Sequence, residues 1–282
     1  MKNKKHGEYP NKQAPQLLKP ETKTEYEIAT SIEKEVNTAA ESNPMMVPIA
    51  IVLAGIFIAG AILWNGSRIP APAPGSLAAQ LKKGTIAEDI GLNKKKFAEC
   101  LSSRRYQSFV QSSIDAGAKN GIQGTPYSVA VAKNGAMLEI NGAQPVEEIR
   151  KVIDLALSGE AKTGISSNTN KLITEDPVTD KDHLFGNPNA DVKIITHTDL
   201  ECPFCKRFHA TMESVMKEYG QNGKVAWIIR PFPLAQLHDK APLEAEAAEC
   251  ANELGGNGKF WEYVNLLEQI TPANNGFDPA LL

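Results

Sequence analysis

Two cysteines separated by two residues, Cys202-Pro203-Phe204-Cys205, are the side chains in this sequence best suited to chemistry. A pair at this spacing can close into a disulfide and reopen, or offer two thiolates to a soft metal. Its neighbours decide between these. Residues 192–196, Val-Lys-Ile-Ile-Thr, are partly alternating and β-branched and read as a strand. Pro203 suits the first turn of a helix, where its missing N–H costs nothing. Phe204, Phe208, Met212, Val215, Met216 and Tyr219 then recur at helical spacing, and Gly220 can end the helix. The pair therefore caps a helix that directly follows a strand. Free N–H groups and a partial positive charge at such a terminus stabilise a thiolate on Cys202. Sites of this kind lower a thiol pKa from ~8.5 to ~3.5–7.5.

The metal alternative is half a zinc site, which needs a second Cys or His pair. Cys100 and Cys250 are single and far apart, and His197 and His209 flank the motif without ligand spacing. Copper held by Cys202 and Cys205 in a metallochaperone stays open.

An earlier block, residues 77–158, carries a complementary pattern. Gly124-Thr125-Pro126 precedes residues 127–132, Tyr-Ser-Val-Ala-Val-Ala, a strand. Asn134-Gly135 signals a hairpin, residues 137–140 form the return strand, and Pro145 opens a helix that Gly159 ends. Cys250 lies in a helix opened by Pro242, and Cys100 in a helix capped by Asn93.

With these pieces in hand, the chain resembles the DsbA-like thioredoxin-fold oxidoreductases, particularly their membrane-anchored bacterial members. The resemblance rests on Asp199-Leu-Glu-Cys-Pro-Phe-Cys-Lys-Arg-Phe-His, Phe185-Gly-Asn-Pro-Asn-Ala-Asp-Val-Lys-Ile-Ile, Arg230-Pro-Phe-Pro-Leu and Ala247-Ala-Glu-Cys-Ala. Gly91-Leu-Asn-Lys-Lys-Lys-Phe-Ala-Glu-Cys-Leu and Gly121-Ile-Gln-Gly-Thr-Pro complete it. It implies an α/β thioredoxin fold with a helical insertion. It implies a cis Thr125–Pro126 bond against the cysteine pair, leaving backbone groups open to a substrate strand. It also implies a structural disulfide between Cys100 and Cys250, with two buried free thiols as the alternative. No metal or organic cofactor is implied. The expected partners are exported thiol-containing proteins and a membrane quinone-linked reoxidase.

The sequence departs from the family in the order of its halves. The Thr-Pro half, residues 77–158, comes before the CxxC half, residues 183–282. Asp278-Pro279-Ala280-Leu281-Leu282 reads as an N-cap and one helical turn, which residues 77–81 could continue. Residues 159–182, rich in Gly, Ser, Thr and Asn, read as the linker that rejoins the halves. Circular permutation, a rearranged sequence and exchange of halves between two chains each account for this order.

Residues 45–64 hold 20 residues without a charge, enough for one membrane-spanning helix. A polar tail, residues 1–44, precedes it, so it reads as a signal anchor rather than a cleaved signal peptide. The tail carries seven Lys and seven Glu. Near the span only Lys34 lies on one side, against Arg68, Lys82 and Lys83 on the other, so charge does not decide the orientation. Residues 65–76 are a Pro/Ala spacer. The cysteine chemistry argues for an extracytoplasmic catalytic part. Net charge is -3, which gives no sign of a nucleic-acid surface. The expected activity is dithiol–disulfide exchange that introduces disulfides into exported proteins. The alternatives are a reductase or isomerase, and a non-catalytic anchored module.

Overall fold

A computed structural model describes Leu81 and residues 84–282 of the chain. The tail, the apolar stretch at 45–64 and the Pro/Ala spacer lie outside the described residues. Among the described residues, no helix is long and apolar enough to cross a membrane.

The described residues fall within one compact unit. Three helices come first: α1 (Ile86–Asp89), α2 (Lys94–Ser102) and α3 (Gln107–Lys119). Asn93 caps α2 by accepting from the Lys96 N–H at 3.0 Å. Strands β1 (Tyr127–Ala132) and β2 (Met137–Asn141) follow as an antiparallel hairpin. Asn134 and Gly135 turn the hairpin; Gly135 takes φ 83°, and the Asn134 side-chain Oδ1 accepts from the Ala136 N–H. Helix α4 spans Val146–Leu157. Next come β3 (His183–Gly186), β4 (Val192–Thr198), α5 (Pro203–Val215), β5 (Val225–Pro231) and α6 (Ala241–Ile270). A single π turn, Met216–Gly220, extends α5, and α6 is broken at Gly256.

The five strands form one sheet in the order β2-β1-β4-β5-β3. β4 and β5 pair in parallel, with α5 as their crossover, and β1 pairs antiparallel with β4. β1 therefore brings the first block into the same sheet as the second. β4 and β5 are buried nearly throughout and read as continuous apolar runs, as central parallel strands should. The main core packs Ile149 and Ile153 of α4, Phe208 and Met212 of α5, Ile194 of β4, and Tyr263 and Leu267 of α6. Leu81 and Leu282, on either side of the reversed order, are buried in this same core. The chain ends in a short 3₁₀ turn, Pro279–Leu281, that Asp278 caps.

Two features add to the sequence reading. The segment 159–182 is a connection with buried residues of its own. Ala161 and Ile173 are buried, and Ile173 joins a second apolar cluster with Val129 and Phe232. Glu175 within it accepts from Arg230 at 2.6 Å and bonds His197 Nε2 at 2.9 Å. Asp182 accepts from the same guanidinium at 2.7 Å. Breaking a buried ion pair costs roughly 3–5 kcal/mol, so the connection is fastened to β4 and β5 by a strong local term. The second is β3, an edge strand at His183–Gly186 that the residue pattern did not mark.

The helical layer is cross-linked as well. Cys100 of α2 and Cys250 of α6 form a disulfide, with Cα atoms 5.8 Å apart. Arg104 bonds Glu246 at 2.7 Å, and the Tyr106 hydroxyl donates to Glu253 at 2.9 Å. These contacts join α2 and the turn before α3 to the first half of α6.

Candidate active site

The site lies where three pieces of backbone converge: the end of β4, the start of α5, and the turn entering β1. Cys202 is the N-cap of α5 and Pro203 occupies the first turn. The Thr125–Pro126 peptide bond is cis. Its strand, β1, is the direct neighbour of β4, with Tyr127 opposite His197. This register carries the turn to the cysteine pair, and Cys202 Sγ lies 3.7 Å from the Thr125 carbonyl oxygen. Thr125, Pro126, Cys202, Pro203, Phe204 and Cys205 are thereby brought together. Cys100 and Cys250 are not part of this group.

The two thiols are free and in contrasting environments. Cys202 is lowered from 9.0 to about 6, first by the hydrogen bond from the Cys205 thiol. The backbone N–H groups of Cys205 and Phe204 and the Thr125 hydroxyl add to this, while burial opposes it. The Thr125 hydroxyl has no other partner, which leaves it free to donate to the thiolate. Cys205 is pushed up, chiefly by burial, then by the Cys202 thiolate and Glu268. The Asp199 N–H reaches its sulfur at 3.5 Å. One cysteine is a thiolate near neutrality and the other holds the proton. That division suits Cys202 as nucleophile and Cys205 as the group that leaves and returns.

This has a direct consequence for pH. The folded Cys202 pKa lies below the unfolded value, so the reduced protein gains stability as pH rises from about 6 towards 9. The gain is lost as pH falls through 6. At pH 7 it is on the order of 1 kcal/mol. Iodoacetamide labelling of the reduced protein should follow a single ionisation near pH 6, confined to Cys202. A midpoint near 9, or preferential labelling of Cys205, would contradict this assignment.

Around the pair, Phe204 is 54% exposed and Arg207 sits over its ring at 5.3 Å. Beneath the pair lie acids that the sequence reading did not single out. Asp199 is fully bonded, to the Leu234 and Glu201 N–H groups and to His238 at 2.9 Å. Glu201 and Glu244 are both buried and face one another, and Glu244 is raised to about 10 by burial and by Glu201. Glu268 is buried with neither carboxyl oxygen bonded to a donor, and burial raises it well above the usual range. Glu201 stands in the quoted Asp-Leu-Glu-Cys run. Glu244 and Glu268 are two of the six glutamates of α6, and nothing in the sequence alone separates them from the others.

The histidines near the motif are occupied elsewhere. His197 bonds Glu175, while His209 bonds Asn265 at 2.9 Å and packs on Trp227. Burial lowers the His209 pKa. Among the described residues, no three His, Cys, Asp or Glu side chains are grouped to hold a metal ion.

Two separate stretches of the chain match known families. Residues 78–154 match a family model described as a DSBA-like thioredoxin domain, and residues 178–276 match one described as thioredoxin. The chain has a DsbA-like thioredoxin fold. Among curated proteins it is 33% identical over 107 residues to Na(+)/H(+) antiporter NhaA 3 of Salinispora tropica, covering 36% of this chain and 15% of that protein. It is 34% identical over 88 residues to Na(+)/H(+) antiporter NhaA 1 of Mycolicibacterium gilvum, covering 31% of this chain and 14% of that protein. The chain thus spans about 15% of the length of the curated relatives it matches. Among solved structures, a crystal structure of Pseudomonas aeruginosa DsbA2 aligns with 28% identity and a TM-score of 0.32, covering 38% of this chain and 56% of that one.

Proposed function

We propose that this protein introduces disulfides into exported proteins by dithiol–disulfide exchange at Cys202 and Cys205. The observation that carries the reading is Cys202 at the N-terminus of α5, its sulfur 3.7 Å from the Thr125 carbonyl beside the cis proline. A substrate thiolate attacks Cys202 Sγ of the oxidised protein. A mixed disulfide forms, the Cys202–Cys205 bond breaks, and the electron pair leaves on Cys205. A second substrate thiol, as thiolate, attacks its own partner sulfur in the mixed disulfide and releases Cys202. The substrate is oxidised and the protein is reduced. A stabilised Cys202 thiolate favours the reduced form, which gives the couple oxidising strength. The backbone at Thr125 and Pro126 holds the substrate strand, because proline removes a donor and leaves neighbouring groups free.

The wider reading is of a circularly permuted catalytic domain on a single-pass anchor. Support for permutation is the pairing of β1 with β4 in one sheet and the shared core of Leu81 and Leu282. Support for the anchor is the uncharged stretch at 45–64. Exported thiol proteins are the substrates and a quinone-linked membrane enzyme is the reoxidant, with catalysis on the extracytoplasmic side. Protease added to intact cells should digest the chain beyond Gly75; loss of the N-terminal tail alone would reverse this orientation.

The activity is tested with a reduced dithiol peptide. Oxidised protein should convert it to the disulfide form while two thiols appear on Cys202 and Cys205 in equal amount. Peptide oxidation without loss of the Cys202–Cys205 disulfide would sink the reading.

A further inference from the structure

The Thr125–Pro126 turn must present its backbone to a substrate strand, and a turn that does so needs anchors on both sides. Its own loop supplies few. The Pro126 carbonyl oxygen accepts from the Gly142 N–H at 3.0 Å, and the Ile122 N–H donates to the Gly117 carbonyl oxygen at 3.0 Å. Between these points Gln123, Gly124 and Thr125 are at least partly exposed. A Cβ at Gly124 would meet no atom beyond its chain neighbours within 4 Å.

The connection at 159–182 closes on both ends of this loop. At the α3 end, the Thr174 hydroxyl donates to Asn120 Oδ1 at 3.3 Å. The Thr169 methyl lies so close to Gly121 that a Cβ there would stand 2.4 Å from it. At the β1 end, Tyr127 follows Pro126 directly, and its hydroxyl donates to Glu139 Oε1 of β2 at 2.9 Å. The two are diagonal neighbours on one face of the hairpin, since Tyr127 pairs with Asn141 and Val129 with Glu139. Both oxygens of Glu139 also accept from the Ser167 N–H, each at 3.1 Å. Asn141 Nδ2 donates to the Ser167 hydroxyl at 2.7 Å. Ile173 joins Ile122 and Tyr127 in the second apolar cluster, and Glu175 bonds His197, the β4 residue opposite Tyr127.

We propose that the connection is part of the substrate-binding apparatus: through Ser167 and Glu139 it fixes where the Thr125–Pro126 turn stands, and Glu139 is a positioning residue for the exchange. The inference rests on the exchange chemistry proposed above. A carboxylate accepts at both oxygens, and bonds to a charged acceptor are roughly twice as strong as neutral ones. Glu139 thus ties the residue adjoining the turn to a backbone N–H of the connection, so that neither moves without the other. Its partners, Tyr127 and Ser167, lie outside the cysteine pair, so its effect reaches the sulfurs only through the turn. A peptide uses the backbone at Thr125 as well as Cys202 Sγ, whereas a small dithiol needs only the sulfur. The two kinds of reductant therefore sense the clamp differently, because placement matters only to the one that must be oriented.

The test compares the oxidised full chain with its Glu139→Ala variant, following disulfide opening by a reduced dithiol peptide and by dithiothreitol. The variant should react roughly tenfold more slowly with the peptide, the scale of one lost hydrogen bond to a charged group. Its rate with dithiothreitol should stay within twofold of the parent. A general loss of structure would lower both rates by the same factor. Glu139→Gln keeps an oxygen that accepts from both donors, so it should recover most of the peptide rate. A peptide rate within twofold of the parent in Glu139→Ala, or an equal fall with both reductants, overturns the proposal. If Glu139→Ala does not fold, Tyr127→Phe decides, because it removes only the hydroxyl that meets Glu139. A selective loss with the peptide is expected there, and unchanged selectivity overturns the proposal. A parent chain that opens with neither reductant would instead sink the oxidoreductase reading, so the two failures are distinguishable.

Discussion

Replacing Cys202 with serine should abolish oxidation of the dithiol peptide, and replacing Cys205 should not give the same phenotype. Cys202 is the sulfur that faces the Thr125 carbonyl and the donors at the start of α5, so it alone receives a substrate thiolate. A serine oxygen there forms no disulfide, and exchange falls by at least ~10³-fold, to the uncatalysed background. Cys205→Ser keeps the accessible sulfur and loses the group that resolves it. Mixed with the peptide in its disulfide form, that variant should trap a mixed disulfide between Cys202 and one peptide sulfur as the other peptide sulfur leaves as a thiol, visible as a mass gain removed by reductant. Retained turnover in Cys202→Ser would place the chemistry elsewhere in the chain.

The second large effect concerns stability. The Cys100–Cys250 disulfide closes a loop with a sequence separation of 150 and joins the helices of the two blocks. A loop of that length corresponds to roughly 5 kcal/mol in the chain-entropy model, while measured losses for native disulfides run about 2–5 kcal/mol. The double substitution to alanine is the appropriate variant, because one remaining thiol could exchange with Cys202 or Cys205. It should lower the urea midpoint by an amount equivalent to several kcal/mol, with peptide oxidation retained by the folded fraction. An unchanged midpoint would mean that the ion pairs Arg104–Glu246 and Arg105–Glu253 already hold these helices together.

Much of the site could be read from residues because its signals are local. The proline after Cys202, the apolar repeat from Phe204 to Tyr219 and the β-branched run at 192–196 each specify an element without reference to the rest of the chain. The Asn134-Gly135 turn fixed the β1–β2 pairing for the same reason. What escaped the sequence depends on partners far away. Glu175 lies in a polar stretch that looks like a spacer, and it is buried only because His197 and Arg230 come to it. The edge strand β3 is four residues long and derives its form from pairing with β5. The break in α6 falls at Gly256, where φ is 75°, a conformation open to glycine, and the Gly255-Gly256 pair was the available hint. The acids Glu244 and Glu268 carry no local signal that sets them apart until the core closes over them.

The pairing of the first and second blocks was legible only through resemblance. Nothing in residues 121–126 by themselves states that the Thr-Pro bond is cis or that it meets Cys202. The β1–β4 register does, since it aligns Tyr127 with His197 at the end where α5 begins. The order of the blocks along the chain is immaterial to that register, provided that the connection at 159–182 can reach. Its fastening through Glu175 and Asp182 shows how it is held on the way.

If Cys202 and Cys205 form an oxidising redox couple, their reduction potential reports it directly. The protein is equilibrated in glutathione buffers and the free thiols are trapped. One two-electron transition is expected, with both thiols appearing together, at a potential well above the roughly −270 mV of thioredoxin and towards the ~−120 mV of DsbA. A couple at or below about −270 mV, or no reversible transition at all, would contradict it.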